Sequence, residues 1–300
     1  MSIPLSQAPI PLGKSGLSVS PLSWGMWRFA GADVRTATKL VHVALDHGLT
    51  FLDTAAIYGV DGPGFGAAES LLGEVLRADP GLRGRMTLAT KGGIPPGVPY
   101  DSGAAAIALT IDESLDRLGV EVIDLWMIHR PDPLTHPAEV ASALDAAVLS
   151  GKVHAVGVSN YPAPMVRALL AHLRTPLACN QIEFSPLAIA PMSDGTLDVA
   201  METGHAIMAW SPLGGGRIAK PGTSRETAVA DVLDAHAARH GVSREVAAFA
   251  WIMAHPASPV CIVGSQKAER IAEAAGALAM SWTRAGWFEV LVAARGEKLP

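Results

Sequence analysis

Eight short apolar runs recur along this chain, each followed by a loop rich in Gly, Pro, Asp or Ser and then by an amphipathic stretch. The runs are Leu22–Gly25, Phe51–Asp53, Met86–Thr90, Ile123–Ile128, Ala155–Val158, Ala178–Gln181, Ile207–Ala209 and Val260–Val263. They have the length of buried strands. Between them, helical periodicity covers Asp33–His47, Ala67–Arg77, Ala104–Leu118, Pro137–Leu149, Ala163–Leu173, Leu197–Glu202, Thr227–Arg239 and Arg244–Ala254. Alternation of this kind builds parallel strands joined by crossover helices. Two further helices, Lys267–Leu278 and Arg284–Ala293, follow the last strand. Ahead of the first strand, Gly13-Lys14-Ser15-Gly16 reads as a hairpin turn.

Eight such units form either a closed (β/α)8 barrel of the TIM type or an open doubly wound sheet. The first strand is not followed by G-x-G-x-x-G, which a dinucleotide-binding open sheet usually carries. Polar residues stand at the ends of several different strands, where barrel active sites are assembled. The 300 residues match a barrel of about 250 with terminal additions. The expectation is one domain spanning 1–300, with an N-terminal β-hairpin and extra C-terminal helices.

With 49% hydrophobic and 17% charged residues, the chain has the composition of a folded globule. A net charge of -5 disfavours nucleic-acid binding. The absence of an apolar run of about 18 residues argues against a membrane span. The N-terminus lacks a secretory pattern. Two cysteines, Cys179 and Cys261, make no disulfide framework and read as inert buried thiols. A cytoplasmic protein is expected, as a monomer or small homo-oligomer. No metal is expected. His42 and His47 are poorly spaced for one helix face, and His236 and His240 read as a solvated face. Asp112, Glu113 and Asp116 read as an exposed helix face. Gly13-Lys14-Ser15 lacks the leading glycine of a phosphate loop, since Ala8 stands there.

Four strand-end residues form a chemical set. A carbonyl accepting hydride becomes an alkoxide, so its site must donate a proton and stabilise negative charge. Tyr58 offers a phenol whose ordinary pKa of about 10 is high for an acid at neutral pH. Lys91 nearby would lower it, and Asp53 would keep Lys91 charged in a dry pocket. His129 could hydrogen-bond the carbonyl oxygen.

The motifs around these residues resemble those of the aldo-keto reductase superfamily, in particular a bacterial branch of oxidoreductases. They are Asp53-Thr-Ala-Ala-Ile-Tyr58-Gly, Thr90-Lys91-Gly92, Asp124-Leu-Trp-Met-Ile-His129-Arg-Pro-Asp132, Gly151-Lys-Val-His-Ala-Val-Gly157-Val-Ser159-Asn160 and Asn180-Gln181-Ile-Glu183-Phe-Ser-Pro. The resemblance runs from about Leu12 to the C-terminus. It implies an NAD(P)H-dependent oxidoreductase that reduces a small-molecule aldehyde or ketone, with Tyr58 as proton donor tuned by Lys91 and Asp53, and His129 positioning the carbonyl. It implies NADPH (NADP+), with NADH as the alternative. Asp53, Gly25, Met26 and Trp27 would touch the cofactor, the last three partly through backbone. Ser159, Asn160 and Gln181 would hold the carboxamide, and Trp210 would stack on the nicotinamide. Ser211, Pro212, Leu213, Gly214 and Gly215 would surround the pyrophosphate. Gly264, Ser265, Gln266, Lys267 and Arg270 would meet the adenosine end, with Ser265 and Arg270 on the 2′-phosphate and Lys267 compensating for Gly264, where many relatives carry a basic residue. Trp27, Tyr58 and His129 would line the substrate pocket, with Ile57, Trp126 and the C-terminal tail as further apolar and aromatic walls, which suggests an aldehyde or ketone with a hydrophobic part. Arg130 could meet a carboxylate or phosphate, but is expected rather to pair with Asp132 or a neighbouring loop. Some barrels of this superfamily serve as channel subunits, so a cofactor-bound regulatory subunit with little turnover is the alternative function.

Overall fold

The computed structural model describes residues 2–299; Met1 and Pro300, within the expected domain, lie outside the described residues. In chain order the elements are β1 (Ser2–Ile3), β2 (Ile10–Pro11), β3 (Ser18–Val19), β4 (Leu22–Gly25), α1 (Val34–Asp46), β5 (Phe51–Asp53), α2 (Ala67–Ala78), β6 (Thr87–Gly92), α3 (Ala104–Leu118), β7 (Ile123–Ile128) and α4 (Pro137–Leu149). They continue with β8 (Val153–Ser159), α5 (Ala163–Leu170), β9 (Leu177–Glu183), α6 (Thr196–Thr203), β10 (Ala206–Trp210), α7 (Ser224–His240), α8 (Arg244–Met253), β11 (Val260–Val263), α9 (Ala268–Ala274), β12 (Trp282–Thr283) and α10 (Arg284–Arg295).

Strands β4 to β11 close into a parallel barrel, each pairing with its neighbour in sequence, and β11 seals it against β4 in the register Cys261↔Leu22. Alternation along each strand sorts its side chains into two layers. Phe51, Ala89, Leu125, Met127, Cys179, Met208 and Ile262 fill the barrel interior. Leu52, Leu88, Trp126, Ile128, Val156 and Val158 face outward and meet the helices in a second, larger core.

The expected hairpin is β2–β3, paired Ile10↔Val19. Its Leu12 and Val19 join the interior cluster, so it plugs the N-terminal end of the barrel. At its tip Gly13 has φ of +58°, and a Cβ there would stand 2.6 Å from the Ala178 carbonyl oxygen. Only glycine fits so close an approach.

Helix boundaries follow their capping residues. Asp33 accepts from Thr36 N at the start of α1, Thr223 and Glu226 form a capping box on α7, and Thr283 accepts from Gly286 N on α10. The stretch from Lys267 is shorter than its periodicity suggests: α9 ends at Ala274 and a 3-10 turn, Ala275–Ala279, carries the chain on.

The C-terminal helix lies against α7 and α8. Trp287 stacks on Trp251 with ring centroids 4.9 Å apart, and each indole N–H donates to the other's backbone carbonyl at 3.0 Å. His236 is buried here rather than solvated, against Trp282 and bonded to Glu289 at 2.8 Å. The antiparallel pair β1–β12 ties the N-terminus to this region; two residues on each side leave no periodic signal. Among the described residues no helix is long and apolar enough to cross a membrane.

Candidate active site

Asp53, Lys91 and His129 reach the barrel mouth from the ends of β5, β6 and β7, and Tyr58 from the turn after β5. Asp53 is the last residue of its strand, Lys91 the penultimate one of the next, and His129 follows the third at once, its N–H donating to Gly92 O at 2.9 Å. The Lys91 ammonium is fully buried and donates to both Asp53 carboxylate oxygens at 2.8 Å and to Thr54 O at 2.7 Å. It stands 4.9 Å from the centre of the Tyr58 ring. That ring meets Trp27 edge-on at 5.0 Å and His129 edge-on at 5.8 Å. Gln181 Nε2 donates to Asp53 Oδ1 at 3.0 Å, so the carboxylate is shared.

Three of these groups titrate away from their ordinary values. Burial is the largest single influence and disfavours the Lys91 ammonium, but the Asp53 carboxylate and the Tyr58 oxygen beside it together outweigh that cost, and the pKa is raised. Burial pushes the Tyr58 phenol up further than the Lys91 charge pulls it down, so its pKa is also raised, against the lowering expected from lysine alone. The His129 imidazole is held well below its usual range by burial first, then by Lys91 and Arg130.

A second chain of bonds runs along the next strands. Ser159 donates to Gln181 O at 2.9 Å. Asn160, in the left-handed region at φ 59°, donates to Ser159 Oγ at 2.7 Å and accepts from Trp210 Nε1 at 3.0 Å. Small side chains with an amide tolerate that conformation best. Ser211 is likewise left-handed at φ 48°, and Gly214, Gly215 and Gly216 all follow with positive φ.

These residues border one cleft of about 1070 Å³. It brings together Gly25, Trp27, Asp53, Tyr58, His129, Ser159, Asn160, Gln181, Trp210, Ser211, Pro212, Leu213, Gly215, Gly264, Ser265, Gln266, Lys267 and Arg270. Lys91 lies beneath its floor. Two expected members do not line it. The Met26 side chain is buried in the outer core and its N–H is engaged by Asp53 O at 2.9 Å. Gly214 packs on Leu187.

Four expected features are corrected. Trp126 is not a pocket wall: it shares outward parity with Ile128, while Leu125 and Met127 point into the barrel. Ile57 does not border the cleft and packs instead with Ala55 and Ala68; the C-terminal tail does not either, because α10 is held on the outside by α7 and α8. Arg130 forms no ion pair among the described residues. Asp132 instead accepts from Ser102 N at 3.0 Å, Leu134 N at 2.9 Å and Thr135 Oγ1 at 2.6 Å, and Arg130 lies over the Trp210 ring at 5.9 Å. Sequence reading missed Arg28, Ser243, Glu245, Phe249 and Glu273 at the cleft. The start of α8 carried only a capping signal, whereas the exposed pair Trp27-Arg28 could have been read together.

The profile of the aldo/keto reductase family matches residues 21–287. The chain belongs to that family. It is an oxidoreductase acting on carbonyl groups. It is 60% identical to a 6-dehydroglucose reductase of Novosphingobium aromaticivorans, over 99% of each chain. A second 6-dehydroglucose reductase, from Agrobacterium fabrum, is 38% identical, over 94% of this reductase and 97% of the relative. The crystal structure of an aldo/keto reductase from Klebsiella pneumoniae in complex with NADP and acetate shares the fold, with a TM-score of 0.80 and 23% identity over 94% of each chain.

Proposed function

We propose that this reductase uses NADPH to reduce the aldehyde of an oxidised hexose, with Tyr58 as proton donor. One observation carries the reading: the buried Lys91–Asp53 pair stands under Tyr58 and His129 at a cleft of about 1070 Å³ that also reaches Lys267 and Arg270. The names and similarity of the two 6-dehydroglucose reductases support the substrate class.

The residues fit the cofactor along the cleft. Its volume reaches the top of the range for ordinary small-molecule pockets. Ser159, Asn160 and Gln181 offer the donors and acceptors that a carboxamide needs, and the Trp210 indole offers a stacking face. At the far end Gln266 Oε1 is buried without a partner. Lys267 and Arg270 form no ion pair among the described residues. The space above Gly264 is open. Two free cations there suit a 2′-phosphate, which favours NADPH over NADH.

A bound reduced nicotinamide supplies the hydride. The protein does the rest. His129, neutral at physiological pH, donates a hydrogen bond to the carbonyl oxygen and fixes its position. Tyr58 keeps its proton until the oxygen becomes strongly basic, then gives it up. Lys91 stabilises the resulting phenolate, and Asp53 keeps Lys91 charged and aimed.

Titration of the protein with NADPH and NADH, following quenching of its seven tryptophans, tests the cofactor; turnover of 6-dehydroglucose tests the substrate. Saturable quenching that is tighter for NADPH, and weakened selectively by Arg270→Ala, is the expected result. No binding of either nucleotide refutes the reading.

A further inference from the structure

Arg130 is a cation beside the catalytic residues that the reaction above leaves without a task; Arg28 borders the same cleft but is exposed. Arg130 is half-buried, next to His129, and its guanidinium lies over Trp210. Among the described residues it has neither an ion pair nor a side-chain hydrogen bond. Asp53, the acid at this end of the cleft, is engaged by Lys91 and Gln181. Asp132, two residues along, is engaged by its own turn and by Ser102. A phosphate-bearing cofactor end is served by Lys267 and Arg270, at the opposite end. A guanidinium presents five N–H donors in a fixed fork. Removing it partly from water without acceptors is unfavourable, and a ligand carrying paired oxygens relieves that cost.

The surroundings narrow the ligand. The guanidinium lies over Trp210 and borders the same cleft as the aromatic rings of Trp27 and Tyr58. Trp27 is 50% exposed with its ring against Tyr58. An aldehyde with a C–H face for the indoles and neighbouring hydroxyls for the fork satisfies both features. A plain aromatic aldehyde satisfies only the first.

We propose that Arg130 is the specificity-determining residue of this site: its guanidinium fork takes two neighbouring hydroxyl oxygens of a polyhydroxy aldehyde and so selects sugar aldehydes over simple ones. This rests on the hexose-aldehyde reading above. Hydrogen bonds from an ionised donor are worth enough that losing them costs about 10- to 100-fold in apparent affinity.

The test compares the wild-type enzyme with Arg130→Met and Arg130→Lys, at saturating NADPH. The substrates are a hexose bearing an aldehyde at its sixth carbon, benzaldehyde and glyceraldehyde 3-phosphate. Circular dichroism and NADPH quenching confirm that each variant is folded and loaded. Arg130→Met is expected to raise KM for the hexose aldehyde by about 10- to 100-fold, at least ten times more than for benzaldehyde, and Arg130→Lys to restore part of it. Equal losses on the hexose aldehyde and benzaldehyde overturn the proposal while leaving the reductase reading intact. A loss confined to glyceraldehyde 3-phosphate overturns it in favour of an anion site. A wild-type enzyme that reduces benzaldehyde but not the hexose aldehyde removes the sugar reading, and the Arg130 proposal with it.

Discussion

At the scale of single residues, the site turns on one ordering of charges. Lys91 is positive because Asp53 lies at 2.8 Å. Tyr58 is neutral because burial costs its anion more than Lys91 offsets. His129 is neutral because burial and two nearby cations both oppose its protonation. In the proposed mechanism reduction needs the phenol protonated and the imidazole neutral. Rates should therefore stay level from below pH 6.5 through neutral pH, and fall only in the alkaline range as Tyr58 ionises, later than an ordinary phenol would. Tyr58→Phe keeps the ring and its contacts but has no proton to give. It should lower kcat by about 100-fold or more, erase the alkaline limb of the pH profile, and leave NADPH quenching nearly unchanged. Full turnover in this variant would show that the proton comes from elsewhere.

At the scale of elements, the loop that carries Tyr58 is tied to the strand that carries Lys91. Glu69 of α2 is wholly buried; it accepts from the Thr90 hydroxyl on one oxygen and from Arg117 Nε of α3 at 2.7 Å on the other. Arg117 lies over the Phe65 ring and fills the space beside Gly66, where a Cβ would stand 2.5 Å from its Cδ. Glu69→Gln keeps the shape but removes the charge facing Arg117. It should destabilise the fold by about 1–3 kcal/mol and lower kcat more than it changes KM, because Tyr58 and Lys91 lose their common anchor. Denaturant melts and steady-state kinetics check this; a stability loss with unchanged kcat would make the network purely structural.

The same scale shows what the sequence made legible. All eight barrel strands are visible as apolar runs, yet β6, β8, β9 and β10 run on past them to Gly92, Ser159, Glu183 and Trp210. Ser159 and Trp210 face the cleft and are polar or bulky for that reason, and Gly92 and Glu183 are not apolar side chains either, so apolarity stops before the strand does. Trp126 misleads because its chemistry suits a pocket wall while its parity places it outside. Arg130 and Asp132 mislead because closeness in sequence suggests a pair, whereas an Asp at a turn is readily engaged by backbone N–H groups that follow it. The start of α8 enters the cleft only through the tertiary path of the chain, which no local pattern reports.

At the scale of the whole molecule, one acid-sensitive group lies under the barrel, away from the chemistry. Thr203 donates its hydroxyl proton to Val199 O at 2.8 Å, so it accepts from His205 Nδ1 at 2.7 Å, and His205 Nε2 is left as a buried lone pair without a partner. Burial lowers the His205 pKa from 6.5 to about 4. Between these values the unfolded chain binds a proton that the folded one refuses, so stability falls as pH drops from 6.5 towards 4. This group's share is at most about 3 kcal/mol. His205→Leu should flatten the decline of stability across that window relative to wild type, as read by urea melts at a series of pH values. Identical slopes would place the acid sensitivity in other groups. The hairpin plug sits on this same corner, with Lys14 Nζ donating to Thr203 O at 3.0 Å, so acid should loosen the plug first.

The seam between β4 and β11 has a consequence for synthesis. One partner of the pair is made near the start of the chain and the other near its end. Throughout translation β4 carries an open edge, and an unpaired parallel edge is a template for association with other chains. Closure of the ring therefore waits for the last barrel strand, and the growing chain depends until then on whatever shields that edge in the cell.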